Sequence, residues 1–339
     1  MSSNFTIANL DHFQSRLHIN TILNLSINLP VAYLIVFHSS KAMGYYKYYL
    51  LYTVVTTMVM DFHQTSIYGM YLLLPTMSNC CSALCRNWGM FWGPQFNYII
   101  LNLSMSVTGC SLLTLSLYRF YVLSGKVFFF ESRYSIPGVF IISVLYPSPT
   151  IIAHRIAISG QTREGILALI EEKAPEYVSV VEQGFCSGFK TPLLGFMYVV
   201  ICTTQIAIVE VTGLLYAIKT IRLLRGLKNS LSSASYAAQQ QLARSVCIQF
   251  MIPSVTLATP VLIMIVIAVF KLKNTSLWSE IAVHLMTMHA PLNGLTIFFT
   301  IKPYRDAVKR GIKLLIAKEN LPSTNNKILS TTANSSMRR

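Results

Sequence analysis

Twenty-one consecutive residues, Ile281 to Ile301, contain no Lys, Arg, Asp or Glu. As a helix, such a run is long enough to cross a bilayer core of roughly 30 Å. It is not alone. Residues 17–40, between Arg16 and Lys41, are free of formal charge, and so are Asn87 to Tyr118 and Ser245 to Phe270. A chain built on repeated runs of this kind is a polytopic membrane protein. Composition agrees: 12% of residues are charged and 53% hydrophobic, against roughly 25% charged in a soluble domain.

The intervals predict seven spans. The first lies between Arg16 and Lys41. The second runs from Tyr48 to Leu74, interrupted by Asp61 and His63, and the third begins near Phe96. Arg133 and Arg155 bracket the fourth. The fifth extends from Thr191 to Ile218 with one acid, Glu210. Ser245 to Phe270 and Ile281 to Ile301 are the sixth and seventh. Pro30, Pro253, Pro260 and Pro291 fall inside spans, where neighbouring helices satisfy the freed carbonyls. After Ile301 the pattern changes. Val308, Ile312 and Leu315 share one helical face while Lys309, Arg310 and Lys313 line the other, as in a helix that lies on a membrane surface. The expected fold is an all-α membrane protein, a seven-transmembrane bundle over residues 17–301. An extracellular N-terminus (1–16) precedes it. A short amphipathic helix (302–319) and a disordered, Ser/Thr/Asn-rich cytoplasmic tail (320–339) follow.

Seven spans put the termini on opposite sides, and basic residues choose between the two orientations. With the N-terminus outside, 19 of the 27 Lys and Arg lie inside, while Glu164, Glu171, Glu172, Glu176 and Glu182 lie outside between spans four and five. The net charge of +15 therefore reads as orientation in a membrane and not as affinity for nucleic acid. Two glycosylation sequons, at Asn4 and Asn274, fall in outer segments. No basic, apolar leader precedes the first span. Four cysteines lie outside, Cys80, Cys81 and Cys85 before span three and Cys186 before span five. A bridge between these two loops is expected on an oxidising face, but spacing leaves the partner of Cys186 open. Cys110, Cys202 and Cys247 read as small buried residues.

Two acids fall within spans. Asp61, costing about 2.5–3.5 kcal/mol at mid-membrane, is expected either as a polar hub coupling span two to spans three and seven or as a protonated group bonded to Ser104, Ser106 or a carbonyl. Glu210 is expected near the inner end of span five, paired with Arg119 or Arg244, or unpaired at the surface. The loop from Lys219 to Arg244 contains no acid, and Asn229 to Ser235 is its expected flexible middle. No metal-ligand spacing, P-loop or GxSxG element occurs, so the chain is expected to be neither an enzyme nor a holder of metal or cofactor.

The closing motif Lys302-Pro303-Tyr304-Arg305 resembles the PYR signature of nematode serpentine chemoreceptors of the Str superfamily. Tyr45-Tyr46-Lys47-Tyr48-Tyr49-Leu50-Leu51, Asp61-Phe62-His63 and Pro75 are similar in pattern to its Srh and Sri classes, with no choice between the two. The resemblance implies a G-protein-coupled chemosensory receptor for a small molecule, in the plasma membrane and specifically the ciliary membrane of sensory neurons, with a heterotrimeric G protein as partner. On that footing, Tyr98, Asn102, Met105, Phe196, Tyr198 and His289 are candidate ligand contacts by depth and chemistry. Arg119, Arg222, Arg225, Pro303, Tyr304 and Arg305 are candidates for coupling. Rhodopsin-like receptors carry an acid before the Arg that closes span three, whereas here Tyr118 precedes Arg119, so Arg119 is read equally as a coupling residue or as a snorkelling cation. The rival classes are a seven-span ligand-gated channel, which the charge bias opposes, and a transporter, for which repeated halves are missing.

Overall fold

The structure is a computed structural model that describes residues 5–40, 43–270, 272 and 275–319. Asn4, Asn274, the side chain of Leu315 and the tail 320–339 lie outside the described residues.

Span one is α1 (Ile7–His38), and span two is α2 (Tyr46–Phe62) prolonged by a π turn, His63–Tyr68. A π turn at Phe91–Gln95 leads into α3 (Phe96–Leu123), span three. Span four is broken into α4 (Ser135–Leu145) and α5 (Ser148–Ile158) at Pro147. The long loop after it folds into α6 (Arg163–Lys173) and α7 (Val178–Val181). Span five is α8 (Pro192–Gly226). Span six joins α9 (Ser233–Pro253) to α10 (Thr259–Phe270) through a π turn. Span seven is α11 (Ser276–Thr287) and α12 (His289–Thr300), and α13 (Lys302–Glu319) follows. Five spans meet the length and hydropathy needed to cross a membrane without further argument. Spans two and seven are the others, and they carry the buried Asp61, His63, Gln64, His289 and Asn293.

The bundle is apolar outside, and inside it polar side chains run between two large apolar clusters: lipid offers no hydrophobic drive, so polar side chains seek one another. On α1, Asn20, Asn24 and Asn28 recur every fourth residue and share one inward face. Asn24 Nδ2 donates to the Met58 carbonyl at 3.0 Å and Asn28 Nδ2 to Asn24 Oδ1 at 2.8 Å. Across from them Ile22, Tyr33 and Phe37 are more than half exposed, as are Ile141, Leu145, Leu215, Leu262 and Phe270 on other spans. That apolar belt is the surface the bilayer covers. Helix α3 runs through the middle, packed on α2, α4, α8 and α9.

Several boundaries differ from the sequence reading. Helix α1 starts inside the segment 1–16, because Leu10, Phe13 and Leu17 have a buried surface to meet. Span two stops at Tyr68 and not at Leu74. Gly69 turns the chain at φ +55°, and a Cβ there would collide with Gln14 Oε1 and Ser82 Oγ. Beyond it Met70–Leu73 (β1) pairs antiparallel with Ser78–Cys81 (β2), which pairs with Cys186–Ser187 (β3). This three-stranded lid closes one end of the bundle. Cys80 lies opposite Cys186 in the ladder and is bridged to it, while Cys81 is bridged to Cys85. Phe5 stacks on Tyr71 at 4.8 Å and meets Tyr177 edge-on at 5.3 Å, so the Phe5 ring is tucked into the lid. Burial pushes the Tyr177 hydroxyl up to about 12, and it stays neutral. At the opposite end, α8 and α9 run past their expected limits, Ile218 and Ser245. Ser232 ends the expected flexible stretch as a helix cap, its Oγ accepting the Ser235 N–H at 3.2 Å.

Candidate functional site

A cavity of about 60 Å³ lies in the middle of the bundle, lined by residues of spans two to seven. Its apolar wall includes Met105, Leu112, Val209 and Leu257. Above it, towards the lid, Tyr98, Tyr198, His154 and Phe189 pack ring against ring, with Tyr98 and His154 centroids 4.9 Å apart and Phe189 and Tyr198 5.3 Å apart. Tyr198 donates from its hydroxyl to Asn102 Oδ1 at 3.0 Å, tying this roof to the cavity wall.

Of the six residues predicted to contact a ligand, Asn102, Met105 and His289 line the cavity. Tyr98 and Tyr198 form its roof. Phe196 does not belong: it is 55% exposed on the outer face of α8, pointing where lipid would be. Half a helical turn separates the outward Phe196 from the inward Tyr198 on α8, and the apolar sequence around them carries no signal of which face is which. Span four, absent from the expected pocket, contributes Tyr146, Pro147 and Thr150. Glu210 also lines the cavity, midway along α8, and not the inner end of span five. It pairs with neither Arg119 nor Arg244. The two ion pairs among the described residues are Arg16–Glu280 and Arg86–Asp11, both at the lid end.

Beside the cavity, span seven is broken between Thr287 and His289. Pro291 has no N–H for the Thr287 carbonyl, so the helix cannot run through. The break frees backbone donors at the start of α12. Asp61, fully buried, takes one of them: its Oδ2 accepts the Ala290 N–H at 2.9 Å, while Oδ1 has no partner among the described residues. Neither Ser104 nor Ser106 reaches it. They bond to the carbonyls of Leu101 and Ser143 instead. Asp61 thus joins span two to span seven as a cap supplied from another helix. Asp61→Asn keeps an acceptor and is expected to leave thermal stability nearly unchanged. Asp61→Leu strands the Ala290 donor and is expected to cost about 1–3 kcal/mol, read from thermal unfolding of purified protein.

At the end away from the lid, Arg119 is 3% exposed and does not snorkel. Its guanidinium carbon sits 3.5 Å from the centre of the Tyr46 ring, and Nη1 donates to Gln239 Oε1 at 3.1 Å. Nε and Nη2 have no partner among the described residues. Tyr304 of the KPYR motif is fully buried, its hydroxyl 2.9 Å from Ser39 Oγ, so it anchors α13 to the end of α1 and is not open to a partner. Next to it opens a cleft of about 1120 Å³ between α8, α9 and the start of α13, rimmed by Arg225, Arg244, Lys302 and Arg305, with Pro303 in its wall. Arg222 is exposed but does not line it.

The chain matches no curated protein. Its sequence does match the family described as serpentine type 7TM GPCR chemoreceptor Sri over residues 5–308. That match takes in every span, the lid, the cavity, the Arg119 cluster and the KPYR motif, and it decides between the two classes the motifs left open. The chain belongs to the Sri family of seven-transmembrane serpentine chemoreceptors.

Proposed function

We propose that this receptor takes a small molecule into the mid-bundle cavity and activates a heterotrimeric G protein through the basic cleft at the α13 end. In this reading the lid faces outward and α13 lies along the inner leaflet. The reading rests mainly on one observation: α8, α9 and span seven each line the cavity at one level and the cleft at another. A ligand that binds one arrangement of these helices better than another therefore changes the cleft by population shift, without any chemistry. The cleft's four cations suit an acidic partner, and Arg119 lies close by, sealed on Tyr46 and Gln239. Charge bias supports the orientation, as does the lid, whose two disulfides belong on an oxidising face. A place in the ciliary membrane of sensory neurons is the further expectation that family membership carries.

The cleft also sharpens the test. Arg225→Glu and Arg305→Glu, which line it, are expected to lower agonist-stimulated nucleotide exchange about tenfold or more at equal surface expression, since like charge across an interface costs kilocalories. Arg222→Glu, outside the cleft, is expected to have a much smaller effect. Equal losses at all three positions, or none, would remove the cleft as the docking surface.

A further inference from the structure

The polar lining of the cavity is unevenly satisfied. Asn102 is committed on both sides, accepting from Tyr198 and donating to the Tyr98 carbonyl at 2.8 Å. Ser106 donates to the Ser143 carbonyl at 2.7 Å. Gln205 donates to the Tyr146 carbonyl at 2.8 Å and accepts from Thr150, and Tyr146 donates to the Gln205 carbonyl at 2.9 Å. Three lining groups remain without a partner among the described residues: Glu210, His289 Nε2 and Thr108 Oγ1. His289 is 1% exposed. The protonation of its ring follows from its neighbour. Thr256 has one hydroxyl proton; assigned to the Ile252 carbonyl at 3.0 Å, it leaves the 3.3 Å contact with His289 to Nδ1–H donating to Thr256 Oγ1. A neutral imidazole then presents a bare lone pair at Nε2. No Lys or Arg lines the cavity.

The cavity therefore offers a carboxyl group and an imidazole lone pair, both lacking a donor, within an apolar wall. We infer that its ligand is a short-chain aliphatic ammonium ion, the N–H donors turned to Glu210 and His289 and the alkyl chain lying against Met105, Leu112, Val209 and Leu257. This deepens the receptor reading above and rests on it for its biological sense. An ammonium group has three donors and no acceptor, the complement of what is missing. Its charge also offsets that of a carboxylate which otherwise stands alone at mid-membrane. Size limits the chain. The room in the cavity, about 60 Å³, admits a small amine and not a long-chain one.

Purified full-length receptor would be melted with butylamine, butanol and butyrate, three probes of nearly equal size. Butylamine is expected to raise the melting temperature saturably at neutral pH while butanol and butyrate do not. Glu210→Gln is expected to weaken the amine response about 10- to 100-fold, the worth of a charge-assisted bond. Equal stabilisation by butanol, or an unchanged amine response in Glu210→Gln, would overturn the assignment. So would a flat response to all three, as expected if water alone fills the cavity. The comparison among the three probes on unmodified receptor decides the matter even if Glu210→Gln does not fold. Nucleotide exchange by added G proteins is read separately. Amine-dependent stabilisation without exchange would keep the site and sink the coupling, and exchange driven by other molecules without amine stabilisation would do the reverse.

Discussion

Replacing Cys80 and Cys186 together by alanine is expected to destabilise the receptor by about 2–4 kcal/mol and to deplete it from the cell surface. The bridge links positions 106 residues apart. Chain entropy alone would assign a loop of about 100 residues roughly 4.7 kcal/mol. The denatured state in a membrane is not a free coil, however, and spans that stay helical shorten the flexible part of the loop. The Cys81–Cys85 bridge closes a far shorter loop, and its removal is expected to cost less. The first bridge also does what the second cannot. It sits within the β2–β3 ladder, holding the loop from α6 to β3 against the hairpin and over the Phe5, Tyr71 and Tyr177 cluster. Thermal unfolding of the paired variants checks the magnitude. Maleimide labelling of intact cells checks the premise: a Cys80–Cys186 pair found reduced in the native receptor, with no stability lost in the double variant, would mean the lid faces a reducing compartment. The proposed orientation would fall with it.

How much of this was written plainly in the sequence depends on which force sets each feature. The spans were legible because crossing a bilayer imposes length and apolarity on the chain one segment at a time. The KPYR motif was legible as a family mark, but its role was not. Sequence suggested a coupling surface, whereas Tyr304 is buried against Ser39. The bridge between the two outer loops was expected, but the strands of the lid were missed because β1 continues the apolar run of span two with no charge between. Its one local signal was Gly69, which only makes sense beside Gln14 and Ser82, distant in sequence. Glu210 and Phe196 were misplaced for a related reason. In an apolar helix the inward face is marked by partners and not by hydrophobicity, and those partners lie on other spans. The Asn20, Asn24 and Asn28 ladder was the exception, since its spacing of four was visible in the sequence. It can serve as a marker of the inward face where hydropathy is silent.

Tyr46→Leu is expected to raise ligand-independent nucleotide exchange, whereas Tyr46→Phe is expected to leave it near the wild-type level. The reasoning starts from a cost. Arg119 is a buried cation with no carboxylate near it, held by a ring face and one amide oxygen. A desolvated cation–π contact of this kind is worth about 2 kcal/mol. It depends on the ring and not on the Tyr46 hydroxyl, which has no partner among the described residues. Phenylalanine keeps the ring and leucine does not. If the contact belongs to the resting arrangement, its loss shifts the equilibrium by up to about 30-fold towards the active one. Gln239→Ala, at a half-buried position on α9, is expected to give a smaller rise in the same direction with little effect on folding. Measured exchange, normalised to surface receptor, separates the alternatives. Should Tyr46→Leu remain as quiet as Tyr46→Phe at equal expression, the Arg119–Tyr46 contact is shared by both states and is only packing. A rise in Tyr46→Leu and Gln239→Ala alone would show that this receptor holds itself at rest through Tyr46 and Gln239, with no acid beside Arg119.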